Sequence, residues 1–262
     1  MFHFLKKKQK INFSTVIHFS SLDAIFMDHC IAGVIPASNK IAIVSYDKLF
    51  NGEDISDTVK KVISRNKNEK IASKIMPLPE NKGTANNRYY HNLLRLKGWE
   101  LVADTADYTL FIDGDEVADP ELLLNWKSNY KTKAHSIRLP CYFYFREPIY
   151  RSTTLEYTPL MVNNKKFKEI HEKNPDYLIH NNKERNAYNF KPKEIIKDVF
   201  FHHYSWVRNK QDMLKKVKNW GHRTQRDWTK LVEEEFTHDF NGTDFVHGYQ
   251  YETVENKFNI SV

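Results

Sequence analysis

Residues 108–116 read Tyr-Thr-Leu-Phe-Ile-Asp-Gly-Asp-Glu. Tyr108 to Ile112 is a short apolar run of the kind that forms a buried strand, and it leads directly into Asp113, Asp115 and Glu116. Two carboxylates one residue apart at a strand end can meet one hard cation, and such a cation bridges the oxygens of a diphosphate. Gly114 between them is expected to permit the tight turn that lets both acids converge. In open α/β sheets, ligands bind outside the carboxyl ends of the strands, where these acids fall.

The surrounding chain alternates strand and helix. Ser14 to Phe19 and Lys40 to Tyr46 read as strands, the second closed by Asp47, and Lys70 to Met76 as a third. Helices are expected from Asp23 to about Val34 and from Ile55 to Asn66, where Val59, Val62 and Ile63 keep helical spacing. Asn81-Lys82-Gly83-Thr84 is a turn signal, followed by a long helix from about Ala85 to Ala103 with Tyr89, Leu93, Leu96 and Trp99 or Leu101 on one side. This order predicts an α/β fold, a mostly parallel sheet with right-handed crossovers and helices on its faces. Ser136 to Pro159 is strand-rich and aromatic and reads as a meander added to that sheet. Val199 to Tyr204 is a late strand, and Lys210 to about Asn219 a basic amphipathic helix with Met213, Val217 and Trp220 at helical spacing. The tail after Phe236 shows no regular pattern.

Composition sets the limits. With 40% hydrophobic and 14% aromatic residues in 262, the chain is folded rather than disordered, and 8 glycines argue against a repeat protein. No run of about 18 apolar residues occurs, and the lysines near the start are not followed by the apolar core of a signal peptide. Cys30 and Cys141 form no Cys-x-x-Cys pair and read as reduced thiols, so a cytoplasmic location is expected. The formal charge of +7 favours polyanionic partners: nucleic acid, nucleotide diphosphates or an anionic membrane face.

Several of these elements together resemble the family 2-like glycosyltransferases of the GT-A fold, over roughly residues 14–220. The likeness lies in the order: Ser20 and Ser21 after the first strand, Asp47 after the second, Asn81-Lys82-Gly83 leading into a helix with Arg88, then Asp113-Gly114-Asp115. One domain is expected over 1–262, with a nucleotide-sugar-binding half at 1–120, an acceptor-side half at 121–206 and a basic helical extension at 207–262. The resemblance makes Ser20, Asp47, Arg88 and Asp113 candidates for binding a UDP-sugar donor, and Asp113 and Asp115 candidates for holding Mn²⁺ or Mg²⁺. In similar enzymes a late histidine completes the metal shell. Here that role falls to His203 first and His202 second, in His202-His203-Tyr204-Ser205-Trp206, and imidazole favours manganese. Glu169-Ile170-His171-Glu172 resembles the His-Glu pair of many such transferases, which makes Glu172 the candidate general base of an inverting transfer.

Arg208, Lys210, Lys215, Lys216, Lys218, Arg223 and Arg226, interleaved with Trp220 and Trp228, form a basic stretch able to follow a phosphate backbone, with Arg208, Lys215, Lys218 and Arg223 the leading DNA-binding candidates. The Lys- and Asn-rich, glycine-poor composition is similar to that of the T-even-type bacteriophage transferases that put glucose or arabinose on hydroxymethylcytosine, or on a sugar already there, and so shield DNA from restriction. Rival readings are a transferase building cell-surface glycan, with the basic helix on an anionic membrane, and a metal-dependent phosphohydrolase or nuclease using the same acids.

Overall fold

The computed structural model describes residues 9–80, 87–175, 188–219 and 223–262. In chain order the elements begin with β1 (Gln9–Lys10), β2 (Phe13–His18), α1 (Met27–Val34), β3 (Ile41–Tyr46), α2 (Ser56–Arg65), β4 (Ile71–Met76) and α3 (Asn87–Val102). They continue with β5 (Tyr108–Asp113), β6 (Glu116–Ala118), α4 (Pro120–Asn129), β7 (Lys131–Thr132), β8 (Ser136–Arg138), β9 (Cys141–Glu156), β10 (Leu160–Asn163) and α5 (Asn164–Lys173). The last are β11 (Lys193–Ile195), β12 (Phe201–Val207), α6 (Lys210–Asn219), α7 (Trp228–Glu235) and β13 (Tyr251–Thr253).

The main sheet has the order β11-β8-β10-β5-β2-β3-β4. Strands β4, β3, β2 and β5 run parallel, β10 is antiparallel to both β5 and β8, and β11 is parallel to β8. The α/β expectation is therefore met, with helices on both faces. Every residue of β2 and β3 is buried, as a parallel strand covered on two sides requires. On one face Ile17, Ile43 and Ile112 pack with Phe26, Val34, Val59 and Leu123 from α1, α2, α4 and the loop before α1. On the other, Val16, Val44 and Phe111 pack with Tyr90, Leu94 and Trp99 of α3 and Phe167 of α5.

Three expectations need correcting. The 136–159 region is not a meander on the main sheet: β8 joins that sheet, whereas the 16-residue β9 builds a second sheet, β13-β9-β12-β6. Its central ladder is the parallel pair β9 and β12, a long-range contact that local alternation does not encode. The buried stripe of α3 runs through Tyr90, Leu94, Trp99 and Val102, one residue out of phase at its start from the expected Tyr89 and Leu93. The first helix starts only at Met27, because Ser20 caps a short 3-10 turn at Ser21–Asp23 that uses up the preceding residues. The turn at Asn81-Lys82-Gly83-Thr84 and Trp220 lie outside the described residues. The unplaced tail contributes β13 and a loop built around Asp244, whose carboxylate accepts the amides of Val246, His247, Gly248 and Tyr249. Among the described residues, no helix is long and apolar enough to cross a membrane.

The two sheets meet where β5 turns into β6, and α1 presses on that junction. A Cβ on Gly33 of α1 would lie 2.4 Å from the Ala118 carbonyl oxygen in β6, a backbone atom with nowhere to go. Gly33→Ala is expected to lower stability by ~1–3 kcal/mol through this overpacking, read as a lower urea midpoint in circular dichroism with the native spectrum retained.

Candidate active site

At the carboxyl ends of β2, β3 and β5 lies a cavity of about 980 Å³, open to solvent on one side. Asp113 and Asp115 are on its wall. The turn that carries them is fixed from all sides. The Asp113 amide donates to Glu116 Oε2 (2.9 Å), the Gly114 amide to the His18 carbonyl (2.9 Å), and the Tyr204 amide to the Asp115 carbonyl (2.8 Å). The Cys30 thiol donates to the Gly114 carbonyl at 3.2 Å. Gly114 is needed here for closeness: a Cβ would sit 2.5 Å from Phe19 Cβ and 3.1 Å from Met27 Sδ.

The two acids face different partners. Asp113, the last residue of β5, points to the α3 side, where Arg95 Nη2 and His18 Nδ1 each lie 3.1 Å from its Oδ1. His18 Nε2 in turn lies 3.1 Å from His91 Nδ1. Asp115 is 5% exposed, with His203 Nε2 3.4 Å from its Oδ1 and Lys216 Nζ 3.6 Å from its Oδ2. Burial works against ionisation of Asp115, but His203 and then Lys216 outweigh it and hold the carboxyl below its usual range. Burial likewise opposes charge on His203, and Asp115 overrides it, raising the imidazole well above its ordinary pKa.

Strand alternation decides between the two histidines. His203 faces the cavity, while His202 points the other way, against Tyr144, whose hydroxyl lies 2.8 Å from His202 Nδ1. Burial, then Lys257, lowers the His202 pKa to about 3, so it stays neutral. His203 Nδ1 donates to Glu156 Oε2 at 3.3 Å, at the end of β9. A carboxylate on one imidazole nitrogen fixes the tautomer and turns the other nitrogen outward as a ligand.

The donor set fits a divalent cation. Asp115 Oδ1 is buried and accepts no hydrogen bond, and its 3.4 Å separation from His203 Nε2 is close to the ~3 Å edge between adjacent ligands of one ion held at 2.0–2.3 Å. On the opposite side of the imidazole, ligand atoms of Cys141, Glu156 and His203 come within 4.8 Å of one another. Burial raises the Cys141 pKa, which disfavours the thiolate a metal would need there.

The other sequence-predicted residues scatter. Ser20 lines the cavity, with its hydroxyl donating to Asp23 Oδ2 (3.0 Å) and accepting the Leu22 amide (3.3 Å). Asp47 does not line it: its carboxylate holds the Leu78 amide at 2.9 Å, and Tyr46 and Lys48 reach the wall instead. Arg88 starts α3, its side chain outside the described residues. Glu172 is exposed on α5 and is not part of the cavity wall.

Arg208 lies inside the fold rather than on an outer basic surface. It is 2% exposed and paired with Asp23 Oδ1 at 2.8 Å, its other donors meeting the carbonyls of Leu22 and Ser205, with the Phe26 ring beneath it. Lys215 is exposed but paired with Glu53 at 2.7 Å, while Lys218 and Arg223 are exposed and Arg223 lies on the cavity wall. Sequence reasoning missed Arg95, Glu156 and the aromatic wall of Phe50, Tyr90 and His91, where Phe50 lies 5.5 Å from Tyr90 and 5.6 Å from His91.

No protein-family model and no curated protein sequence matches the chain. Solved structures do align with it. A 4-diphosphocytidyl-2C-methyl-D-erythritol synthase from Anaerococcus prevotii is 13% identical at a TM-score of 0.47, covering 83% of this chain and 100% of that one. The glycosyltransferase GlyE of Streptococcus pneumoniae is 12% identical at 0.41, covering 86% of this chain and 64% of that one. The galactosyltransferase LgtC, solved with donor and acceptor sugar analogs, is 10% identical at 0.42, covering 84% and 95%. Likeness this distant carries no functional weight, and the chemistry rests on the residues themselves.

Loss of Asp115 in Asp115→Ala is expected to abolish Mn²⁺ binding, and Glu156→Ala to weaken it roughly 10–100-fold by freeing the imidazole. Glu172→Ala should leave it unchanged. Electron paramagnetic resonance of free Mn²⁺ in titrations measures all three.

Proposed function

We propose that the protein is a metal-dependent glycosyltransferase that moves a sugar from a uridine diphosphate donor to a hydroxyl on DNA, hydroxymethylcytosine or a glucosylated form of it, so protecting that DNA from restriction. The observation that carries the transferase reading is Asp115: a buried carboxylate oxygen without a hydrogen bond, 3.4 Å from an oriented imidazole, at the rim of a mostly parallel sheet. A divalent ion bound there supplies Lewis-acid neutralisation of the donor's diphosphate. The remaining roles belong to the protein. His203, steered by Glu156, and Asp115 hold the ion's place. Arg95 and His18 fix Asp113 for contact with the nucleotide. Phe50 and Tyr90 offer an apolar wall of the kind on which a base can rest. The cavity, about 980 Å³, has room for a whole nucleotide sugar.

The DNA acceptor rests on charge. Net +7 is joined by exposed Lys210, Lys218, Arg223 and Arg226 on and after α6, of which Arg223 lines the cavity. Arg208 and Lys216 no longer belong to that surface, so the stripe is shorter than the sequence implies. Glu172 is not among the residues that line the cavity, and no general base is proposed in its place.

The test incubates the protein with Mn²⁺, UDP-glucose or UDP-arabinose, and hydroxymethylated or unmodified duplex DNA, then weighs the digested nucleosides. A hexose or pentose mass added only to hydroxymethylated DNA, and lost in EDTA, is the expected result. Transfer only to glycan acceptors, with no gel shift of duplex DNA even at low salt, would replace DNA by cell-surface glycan. Cleaved DNA would replace transfer by hydrolysis. Lys218→Ala with Arg223→Ala should lower the salt slope of DNA binding by about 2.

A further inference from the structure

Lys216 is the buried charge that the site described so far does not use. It sits on α6 between Met213 and Val217, inside the apolar stripe that packs α6 on the second sheet. It is 7% exposed, lines the cavity and reaches Asp115 Oδ2 at 3.6 Å. Burial is the largest influence on its charge and opposes it, as does Arg208, while Asp115, Asp23 and Asp113 favour it. An apolar side chain at this place in the stripe would pack α6 without taking an ammonium out of water, and a buried ion pair is seldom a net gain in stability. Asp115 thus has one oxygen turned to His203 without a hydrogen bond and the other turned to a lysine.

Resting on the transferase reading above, we propose that Lys216, at Asp115 Oδ2, is the protein's own counter-charge for the leaving nucleoside diphosphate, acting in addition to the divalent ion that Asp115 and His203 would hold. A nucleotide sugar carries two negative charges on its diphosphate, which a divalent ion matches. When the bond between the anomeric carbon and the diphosphate oxygen breaks, its electron pair stays with that oxygen and a third negative charge appears. The acceptor oxygen bonds to the carbon and its proton leaves to water. Lys216 supplies the unit of charge that the ion does not, from a cavity wall where water is scarce and the charge is already in place. In the absence of the diphosphate, that same ammonium repels a cation at Asp115.

The two effects have opposite signs, and the experiment uses this. Lys216→Met keeps the length of the stem and removes the charge, and Lys216→Arg keeps the charge. With UDP as probe and Mn²⁺ present, calorimetry is expected to show UDP bound roughly 10–100-fold more weakly by Lys216→Met, the value of one charge-assisted contact, with much of the affinity restored in Lys216→Arg. With Mn²⁺ alone, paramagnetic resonance should show Lys216→Met binding the ion more tightly than wild type. UDP affinity within twofold of wild type in Lys216→Met overturns the proposal, as does weaker Mn²⁺ binding in a variant whose melting temperature is unchanged. If Lys216→Met melts early, Lys216→Gln replaces it under the same criteria. A wild-type protein that binds UDP with Mn²⁺ yet transfers no sugar sinks the transfer reading, and Lys216→Met then tests Lys216 only as a contact for bound diphosphate. One that binds no UDP sinks both.

Discussion

Asp115 is a carboxylate with 5% of its surface exposed, and taking such a charge out of water costs several kcal/mol unless cations come with it. Much of the molecule's second half can be read as the means of supplying them. His203 arrives on β12, whose parallel pairing with β9 puts its ring beside Phe143, 5.3 Å away and edge-on, and Glu156, at the far end of β9, meets its Nδ1 at 3.3 Å. Lys216 arrives on α6, held against the second sheet by Met213 and Val217. The start of α6 is set in turn by Arg208, which follows β12 and ties it to the turn after β2 through Asp23. That pair is almost wholly buried on the arginine side, and breaking one partner of such a pair typically costs about 3–5 kcal/mol. The chain from Asp23 to Arg208 to α6 to Lys216 is therefore a bracket that fixes one side of the cavity to the other.

This bracket explains why the basic stretch could not be read correctly from composition. Arg208, Lys216, Lys218 and Arg223 are alike in a count of charges. The structure separates them by phase: Lys216 lies three residues after Met213 and one before Val217, within the helix's apolar stripe, while Lys215 and Lys218 fall outside it. That signal was in the sequence, since a lysine inside an apolar 3-4 repeat is either snorkelling or paired. Arg208 gave no such sign, because its partners Asp23 and Leu22 are nearly two hundred residues away in the chain.

The parallel half of the main sheet was legible for a different reason. Strands β2, β3 and β5 are buried along almost their whole length and write themselves as short runs of β-branched, aliphatic and aromatic residues broken only by serine and threonine. The division of residues 136–163 between two sheets was not, because alternation reports that a strand has two faces and says nothing of which neighbour it pairs with. The same limit hid Glu156. It ends a long strand without any local motif, and the ladder that pairs β9 with β12 covers only Cys141 to Arg146, ten residues short of it. Glu172, by contrast, sits in a motif-like string, Glu-Ile-His-Glu, in which Ile170 and His171 turn toward the core beside Trp99 and Glu172 is left exposed, with Phe167 as the buried anchor of α5. Proximity to histidine in sequence was the weaker guide.

Helix α6 also links the two halves of the functional reading. It spans ten residues, about 15 Å of rigid rod. Its inner side carries Lys216 to Asp115, and its outer side displays Lys210 and Lys218. A polyanion resting on the outer side is thereby registered against the carboxylate turn to within the stiffness of one helix, without a loop between them to blur the distance. Under the two proposals above, docking on this rod would position a large acceptor from a surface that never touches the reacting atoms, and positioning of this kind can supply much of a barrier's reduction. The Arg208–Asp23 pair then matters twice, because it holds both the buried end of that rod and the angle at which its outer side meets a ligand.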